Sequence, residues 1–309
     1  MAPPAHQAAF HTISDVERDI GVAKETLRVW ERRYGFPQPH RDANDERTYP
    51  RDQVERLARI KRLIDLGHRP GKLMTLSDAA LAELGAKVIA LAPAALSDPD
   101  LTTGMTLLRR HHGSALCAHL GQALLRRGLR DFVMGLVAPF SAAVRHGWAD
   151  GTIATFEKRM FAEAIQHVLR PAILVASLRT EDSTRRPRVL LTTVPQEKSS
   201  IGLLMTEALL ALEGVQCISL GPQSALADIV SAVPALNIDI VSLSFSSRVA
   251  TRVIADSVAE LRNRLPHVQV WAGGSGAALA RRLIGDKHVV PLEDIGTAVA
   301  RWQAAPVAP

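Results

Sequence analysis

The feature that most constrains the fold is a regular alternation in the last third of the chain. Five short apolar runs, at residues 188–194, 215–220, 239–245, 268–272 and 287–290, are each followed by a helical stretch, at 201–213, 224–236, 249–265, 276–284 and 293–303. Runs of Val, Ile and Leu without polar alternation are strands buried on both faces, as in parallel sheets. Strands joined through helices must run parallel, with right-handed crossovers. The expectation is a doubly wound α/β domain with a five-stranded parallel sheet over 188–309. Such sheets take ligands at the carboxyl ends of the strands, near the point where strand order reverses. The loops there are 195–200, 221–223, 244–248 and 273–276. No Gly-x-Gly-x-x-Gly follows the first strand, so a dinucleotide is not the expected ligand.

The first of these loops reads Pro195-Gln196-Glu197-Lys198-Ser199-Ser200, followed by Ile201-Gly202. The frame Glu197-Lys198-Ser199-Ser200-Ile201-Gly202 resembles the Glu-x-His-x-x-Gly signature of the corrinoid-binding, Rossmann/flavodoxin-like domains. The glutamate and the glycine match. The family's cobalt-coordinating histidine falls on Ser199, and a hydroxyl is a poor cobalt ligand beside an imidazole nitrogen. Two further loops resemble the same pattern. Val241-Ser242-Leu243-Ser244-Phe245-Ser246 is similar to the serine-rich loop that takes the dimethylbenzimidazole tail. Trp271-Ala272-Gly273-Gly274-Ser275-Gly276 is similar to the Gly-Gly loop after the fourth strand. The resemblance implies a cofactor face of Glu197, Lys198, Ser199, Gly202, Ser244, Gly273 and Gly274.

At 309 residues more than one domain is expected. Aromatic residues are only 4%, so aliphatic side chains must fill the cores. The net charge of +6 lies outside 188–309, and residues 1–75 hold 14 Lys and Arg against 11 Asp and Glu. That balance suits nucleic-acid contact near the N-terminus. The two cysteines, Cys117 and Cys217, stand in apolar segments without metal-ligand spacing, so neither a disulfide framework nor a metal site is expected. The first residues lack a signal-peptide pattern and no apolar run is expected to span a bilayer, so a cytoplasmic protein is anticipated.

Residues 11–75 read as a compact helical module. Ser14 is placed to cap a first helix, with Glu17 completing a capping box. Ile13, Val16 and Ile20 form its apolar face, and Gly21 provides the turn. A second helix, about 23–33, turns Leu27 and Trp30 inward. Its other face carries Lys24, Thr26, Arg28, Glu31, Arg32 and Arg33. Helix, glycine turn and basic second helix is the arrangement that enters a major groove. The polar stretch 38–50 predicts a two-stranded wing presenting Arg41, Arg47 and Tyr49. Pro50 opens a third helix that ends at Gly67.

The residues Thr26-Leu27-Arg28-Val29-Trp30-Glu31, Arg33-Tyr34-Gly35, Arg47-x-Tyr49 and Arg69-Pro70-Gly71-Lys72-Leu73 together resemble the MerR family of winged helix-turn-helix regulators, in its subgroup of carotenoid-gene repressors with a cobalamin domain. The resemblance implies DNA contacts by Lys24, Thr26, Arg28, Arg32, Arg33, Tyr34, Arg41, Arg47 and Tyr49, with Lys24 and Thr26 near base edges. It also implies double-stranded DNA with a palindromic operator as the partner, and self-association as a homodimer or higher oligomer. The long coiled coil of metal-sensing relatives is absent, because Pro70 and Gly71 interrupt and no heptads follow.

Residues 76–100 read as a short helix and a linker. Residues 101–180 predict four helices, at 101–112, 114–127, 129–146 and 152–178, forming a bundle. Gly113, Gly128 and Gly147 punctuate them, and Pro139 and Pro171 kink or end the last two. Residues 181–187 form a second linker. In cobalamin-dependent light sensors, which this bundle resembles, a Trp followed by a Glu-His pair covers the upper face of the cofactor. Here the frame keeps Trp148 and replaces the pair with Lys158 and Arg159.

The expected function is therefore a MerR-type transcriptional regulator, not an enzyme, whose sensor-like half works without histidine-ligated cobalamin. Three alternatives stay open: cobalamin bound with its own base still attached, in an adenosylcobalamin-dependent light-sensing repressor that lacks the usual histidine; another ligand, such as an anionic one near Lys158, Arg159 and Lys198; or no ligand, with the domain used for dimerisation or a protein partner. A corrinoid carrier or enzyme subunit, or a protein-interaction module, is the alternative of another class.

Overall fold

The structure is a computed structural model that describes residues 10–42, 45–65, 68–87, 98–178 and 186–304. It divides into two compact units. One comprises residues 1–89 with 146–152, and the other 90–145 with 153–309.

The first unit opens with strand β1 (Phe10–Thr12) and helix α1 (Ile13–Ile20). The cap is Thr12, not Ser14. The Thr12 hydroxyl accepts from the Asp15 amide at 3.2 Å, and Asp15 Oδ2 accepts from the Thr12 amide at 3.1 Å. The reason lies in β1. Residues 10–12 pair with a later strand, so Thr12 ends an extended segment and caps the helix from there. Gly21 closes α1 at φ 74°, a left-handed turn suited to glycine. Helix α2 (Lys24–Tyr34) buries Leu27 and Trp30 as expected. Strands β2 (His40–Arg41) and β3 (Arg47–Pro50) complete a sheet of order β1-β3-β2, three strands where two were expected. Pro50 ends β3, and α3 (Arg51–Asp65) begins one residue later. The expected stop at Gly67 lies outside the described residues. Helices α4 (Pro70–Met74) and α5 (Asp78–Lys87) follow. Leu81 of α5 is fully buried beside Val16, Leu27, Tyr49 and Leu57, so the core of this unit draws on residues beyond 75.

The second unit combines helices and a sheet. Helix α6 (Pro99–Arg109) is capped by Asp98, and α7 (Gly113–Asp131) carries a non-helical Gly128. A π-helical turn, Phe132–Val137, leads into α8 (Ala138–Asp150), whose end from His146 on belongs to the first unit, and α9 (Thr155–Leu178) is the longest helix among the described residues. Gly147 lies inside α8 and Pro171 inside α9, so neither ends its helix. Buried Phe132, Phe140, Phe161, Ile165 and Leu169 knit the helices. Gly104 makes room for Phe140, whose ring would stand 2.6 Å from a Cβ there. Helix α9 is long and apolar enough to cross a membrane by length and composition, contrary to expectation. Here it serves as a core helix, with Phe161, Ala164, Ile165 and Leu169 buried.

The sheet has parallel strands β4 (Arg188–Thr192), β5 (Gln216–Gly221), β6 (Ile240–Ser244) and β7 (Gln269–Gly273) in the order β5-β4-β6-β7. Val189, Leu190 and Leu191 are fully buried, as a central strand between helix layers requires. Helices α10 (Ile201–Leu212), α11 (Leu226–Ala235), α12 (Thr251–Arg264), α13 (Gly274–Ile284) and α14 (Ile295–Ala304) follow the strands. The fifth strand expected at 287–290 is reduced to one parallel bridge, Ala272 to Val289. A 3₁₀ turn at Asp286–His288 precedes it and Pro291 follows. Too little chain remains between them for a ladder, and proline cannot donate to one. Strand order reverses between β4 and β6, so the loops after these strands flank the crevice.

Candidate functional site

Two surfaces carry the expected chemistry, one in each unit. In the first, α2 presents Arg28, Arg32 and Arg33 to solvent, while Lys24 and Thr26 are half-buried at its start. The Lys24 amide donates to Glu17 Oε1 at 3.2 Å, which fixes the entry of α2 against α1. The Arg33 guanidinium lies 5.4 Å from the centre of the half-buried Tyr34 ring. Arg41 is exposed and pairs with Asp45 at 2.6 Å across the tip of the wing.

Tyr49 departs from its expected role. It is fully buried, so it does not reach a phosphate. Its hydroxyl donates to Glu31 Oε1 at 2.6 Å, and Arg47 Nε donates to Glu31 Oε2 at 3.2 Å. Burial, and then the Glu31 carboxylate, push the Tyr49 hydroxyl well above the usual phenol range. Glu31 thus ties β3 to α2 through both of its oxygens, while a third of the Arg47 side chain stays exposed. From the sequence, Glu31 counted as part of the charged outer face and of the stretch that carries the family resemblance, with no role of its own. Nothing local distinguishes a carboxylate facing solvent from one facing a strand sixteen residues away.

In the second unit, Glu197 organises the loops at the carboxyl ends of the strands. It is 1% exposed. Its Oε1 accepts from the Ser199 amide at 2.8 Å and from Arg248 at 3.4 Å, and its Oε2 accepts from the Ser246 amide at 2.7 Å. Thr193 Oγ1 donates to the Glu197 carbonyl at 2.7 Å and accepts from the Gln223 amide at 2.8 Å. One carboxylate and one hydroxyl thereby join the loops after β4, β5 and β6. The glycines serve this packing. A Cβ on Gly202 would lie 2.2 Å from Ser244 Oγ, and one on Gly274, at φ +85°, would lie 2.4 Å from the Phe245 carbonyl. Gly273 stands beside the Val290 carbonyl.

The other expected residues differ in exposure. Lys198 and Arg159 are exposed, Lys158 and Ser199 are half-buried, and Trp148 is buried within the first unit while Glu197 belongs to the second. Two arginines went unremarked in the sequence. Arg248, in the loop after β6, pairs with Glu197, and the half-buried Arg145 of α8 feels the charges of both. Arg145 and Arg248 stand about a hundred residues apart, and only the fold relates them.

Histidine-ligated cobalamin does not fit this donor set. Ser199 offers a hydroxyl where a nitrogen is needed, and Glu197 binds the Ser199 amide instead of orienting an imidazole. Among the described residues no group of three or more His, Cys, Asp or Glu is placed to hold a metal ion.

Residues 11–79 match the MerR HTH family of regulatory proteins, and residues 187–298 match the B12 binding domain. The chain is thus a MerR-type helix-turn-helix transcriptional regulator with a B12-binding domain. It is similar to the HTH-type transcriptional repressor CarH of Myxococcus xanthus, with 27% identity over 262 residues that cover 83% of this chain and 86% of that protein. A second relative, the HTH-type transcriptional repressor CarA of Myxococcus xanthus, is 49% identical over 53 residues, 17% of this chain and 18% of that one. Among solved structures, the monomethylamine corrinoid protein of Methanosarcina barkeri shares the fold, with a TM-score of 0.50 and 14% identity over 65% of this chain and 96% of that one.

Proposed function

We propose that the protein is a sequence-specific regulator, without catalytic activity, that binds a palindromic operator as a dimer in the cytoplasm and whose sensor half does not use histidine-ligated cobalamin. The observation that carries this reading is the exposed basic face of α2 with the wing tied to it through Glu31. Arg28, Arg32 and Arg33 on the helix, with Arg41 and the free part of Arg47 on the wing, contact phosphates. Lys24 and Thr26, at the helix start, lie near base edges. Tyr49 acts from inside, by holding the wing. The replacement of the cobalt-ligating histidine by Ser199 supports the second half of the proposal.

Two experiments test it. In mobility shifts on the DNA upstream of its own gene, Arg47→Ala should weaken binding to all sequences alike and flatten the salt dependence by about one charge. Loss confined to one sequence would contradict a phosphate role, and no binding by the wild type would contradict the regulator reading. Incubation with adenosylcobalamin in the dark, followed by gel filtration, should leave the protein colourless. Co-eluting corrinoid bands with the cobalt bound by a protein nitrogen would overturn the cofactor reading.

A further inference from the structure

The loops around Glu197 hold more positive charge than they balance. Among the described residues Glu197 is the one carboxylate bonded to these loops, and its oxygens already serve two backbone amides and Arg248. Arg145 approaches from α8. It is half-buried, and among the described residues it makes no hydrogen bond or ion pair, although it lies within reach of the charges of Arg248 and Glu197. Burial, then the Arg248 guanidinium, pull Arg145 below the usual arginine range, against the opposing pull of Glu197. Two guanidiniums against one committed carboxylate leave one positive charge without a partner. A partly desolvated cation of this kind destabilises the fold unless an anion meets it.

Two hydroxyls are orphaned on the same elements. Ser246 Oγ is buried without a hydrogen-bond partner, although the amide of the same residue binds Glu197. Ser141 Oγ is also buried without a partner, one turn before Arg145 on the same face of α8. Buried hydroxyls without partners are uncommon. The cluster also lies where open α/β sheets bind ligands, at the carboxyl ends of β4 and β6 beside the reversal of strand order.

We propose that Arg145 and Arg248, with the hydroxyls of Ser246 and Ser141, hold the oxyanion group of a small-molecule effector, a carboxylate or a phosphate ester. The planar guanidinium fork matches either group through paired hydrogen bonds. Glu197 holds Arg248 in place and does not contact the anion, since like charges would repel. The inference rests on reading the C-terminal half as a regulatory module.

The test is a thermal melt of the full-length protein in acetate, inorganic phosphate or chloride at equal ionic strength, backed by calorimetric titration. Either acetate or phosphate is expected to raise Tm beyond chloride, and the one that does identifies the anion's source. Arg145→Met should weaken that binding roughly ten- to hundredfold, the range for hydrogen bonds to charged groups. Ser246→Ala, a smaller change, should weaken it several-fold. The inference fails if neither anion differs from chloride with the wild type, or if Arg145→Met responds as strongly as the wild type. Mobility shifts on the same preparations read DNA binding separately. Intact DNA binding with no anion effect overturns this inference and leaves the regulator reading standing.

Discussion

Replacing Tyr49 with Phe isolates the tie between the wing and α2. The ring is fully buried and packs in the core of the first unit, and Phe keeps that packing. What is lost is the 2.6 Å bond from the hydroxyl to Glu31 Oε1. A hydrogen bond to a charged group contributes about 1.5–3 kcal/mol. The lower end applies here, because Glu31 keeps its bond to Arg47 and its oxygens retain some access to water. For a unit of about a hundred residues, 1.5 kcal/mol lowers Tm by roughly 6–12 °C. The pH dependence is a sharper signature. The folded state holds the Tyr49 hydroxyl protonated well above its ordinary range. The unfolded chain releases that proton near pH 10. A pKa raised on folding stabilises fully below the unfolded value and is lost as pH rises past it. The wild type therefore loses about 1.4 kcal/mol between pH 8 and pH 11 through this group alone. The phenylalanine variant has no such proton, so its deficit against the wild type should nearly vanish at pH 11. Calorimetric melts of both full-length proteins at pH 8 and pH 11 measure this double difference. A deficit of the same size at both pH values would refute the reasoning, as would a variant as stable as the wild type at pH 8.

Two further substitutions probe the loops of the second unit. Glu197→Ala strands the Ser199 and Ser246 amides and leaves Arg248 unpaired, so a loss of about 3–5 kcal/mol is expected in urea unfolding; a loss under 1 kcal/mol would show that the carboxylate does not join the loops. Gly274→Ala forces a Cβ to within 2.4 Å of the Phe245 carbonyl at a positive φ. It should cost about 1–3 kcal/mol and shift the sheet transition downward on melting, whereas Gly285→Ala, at φ +86° with no Cβ contact nearer than 3.9 Å, should cost less.

The elements were legible where local chemistry determines them. The apolar runs at 188–194 and 239–245 could only be strands buried on both sides, and they became β4 and β6. The inward stripe of Leu27 and Trp30 and the left-handed turn at Gly21 likewise follow from spacing and from glycine itself. Boundaries were less secure wherever a distant strand intervened. Ser14 was a sound cap until β1 paired with β3 and moved the helix start to Thr12. The short run at 287–290 had strand composition, but it was hemmed in by a 3₁₀ turn and a proline.

By itself, then, the sequence determined the two kinds of domain, the basic face of α2 and the missing histidine at Ser199, because each is a matter of residue type and near-neighbour spacing. Only the tertiary structure decided that Tyr49 turns inward to Glu31, that Glu197 spends both oxygens joining loops, and that Arg145 comes within range of the Arg248 charge. Those outcomes depend on which distant backbone lies opposite a side chain, and on how burial strengthens each charge once water is removed.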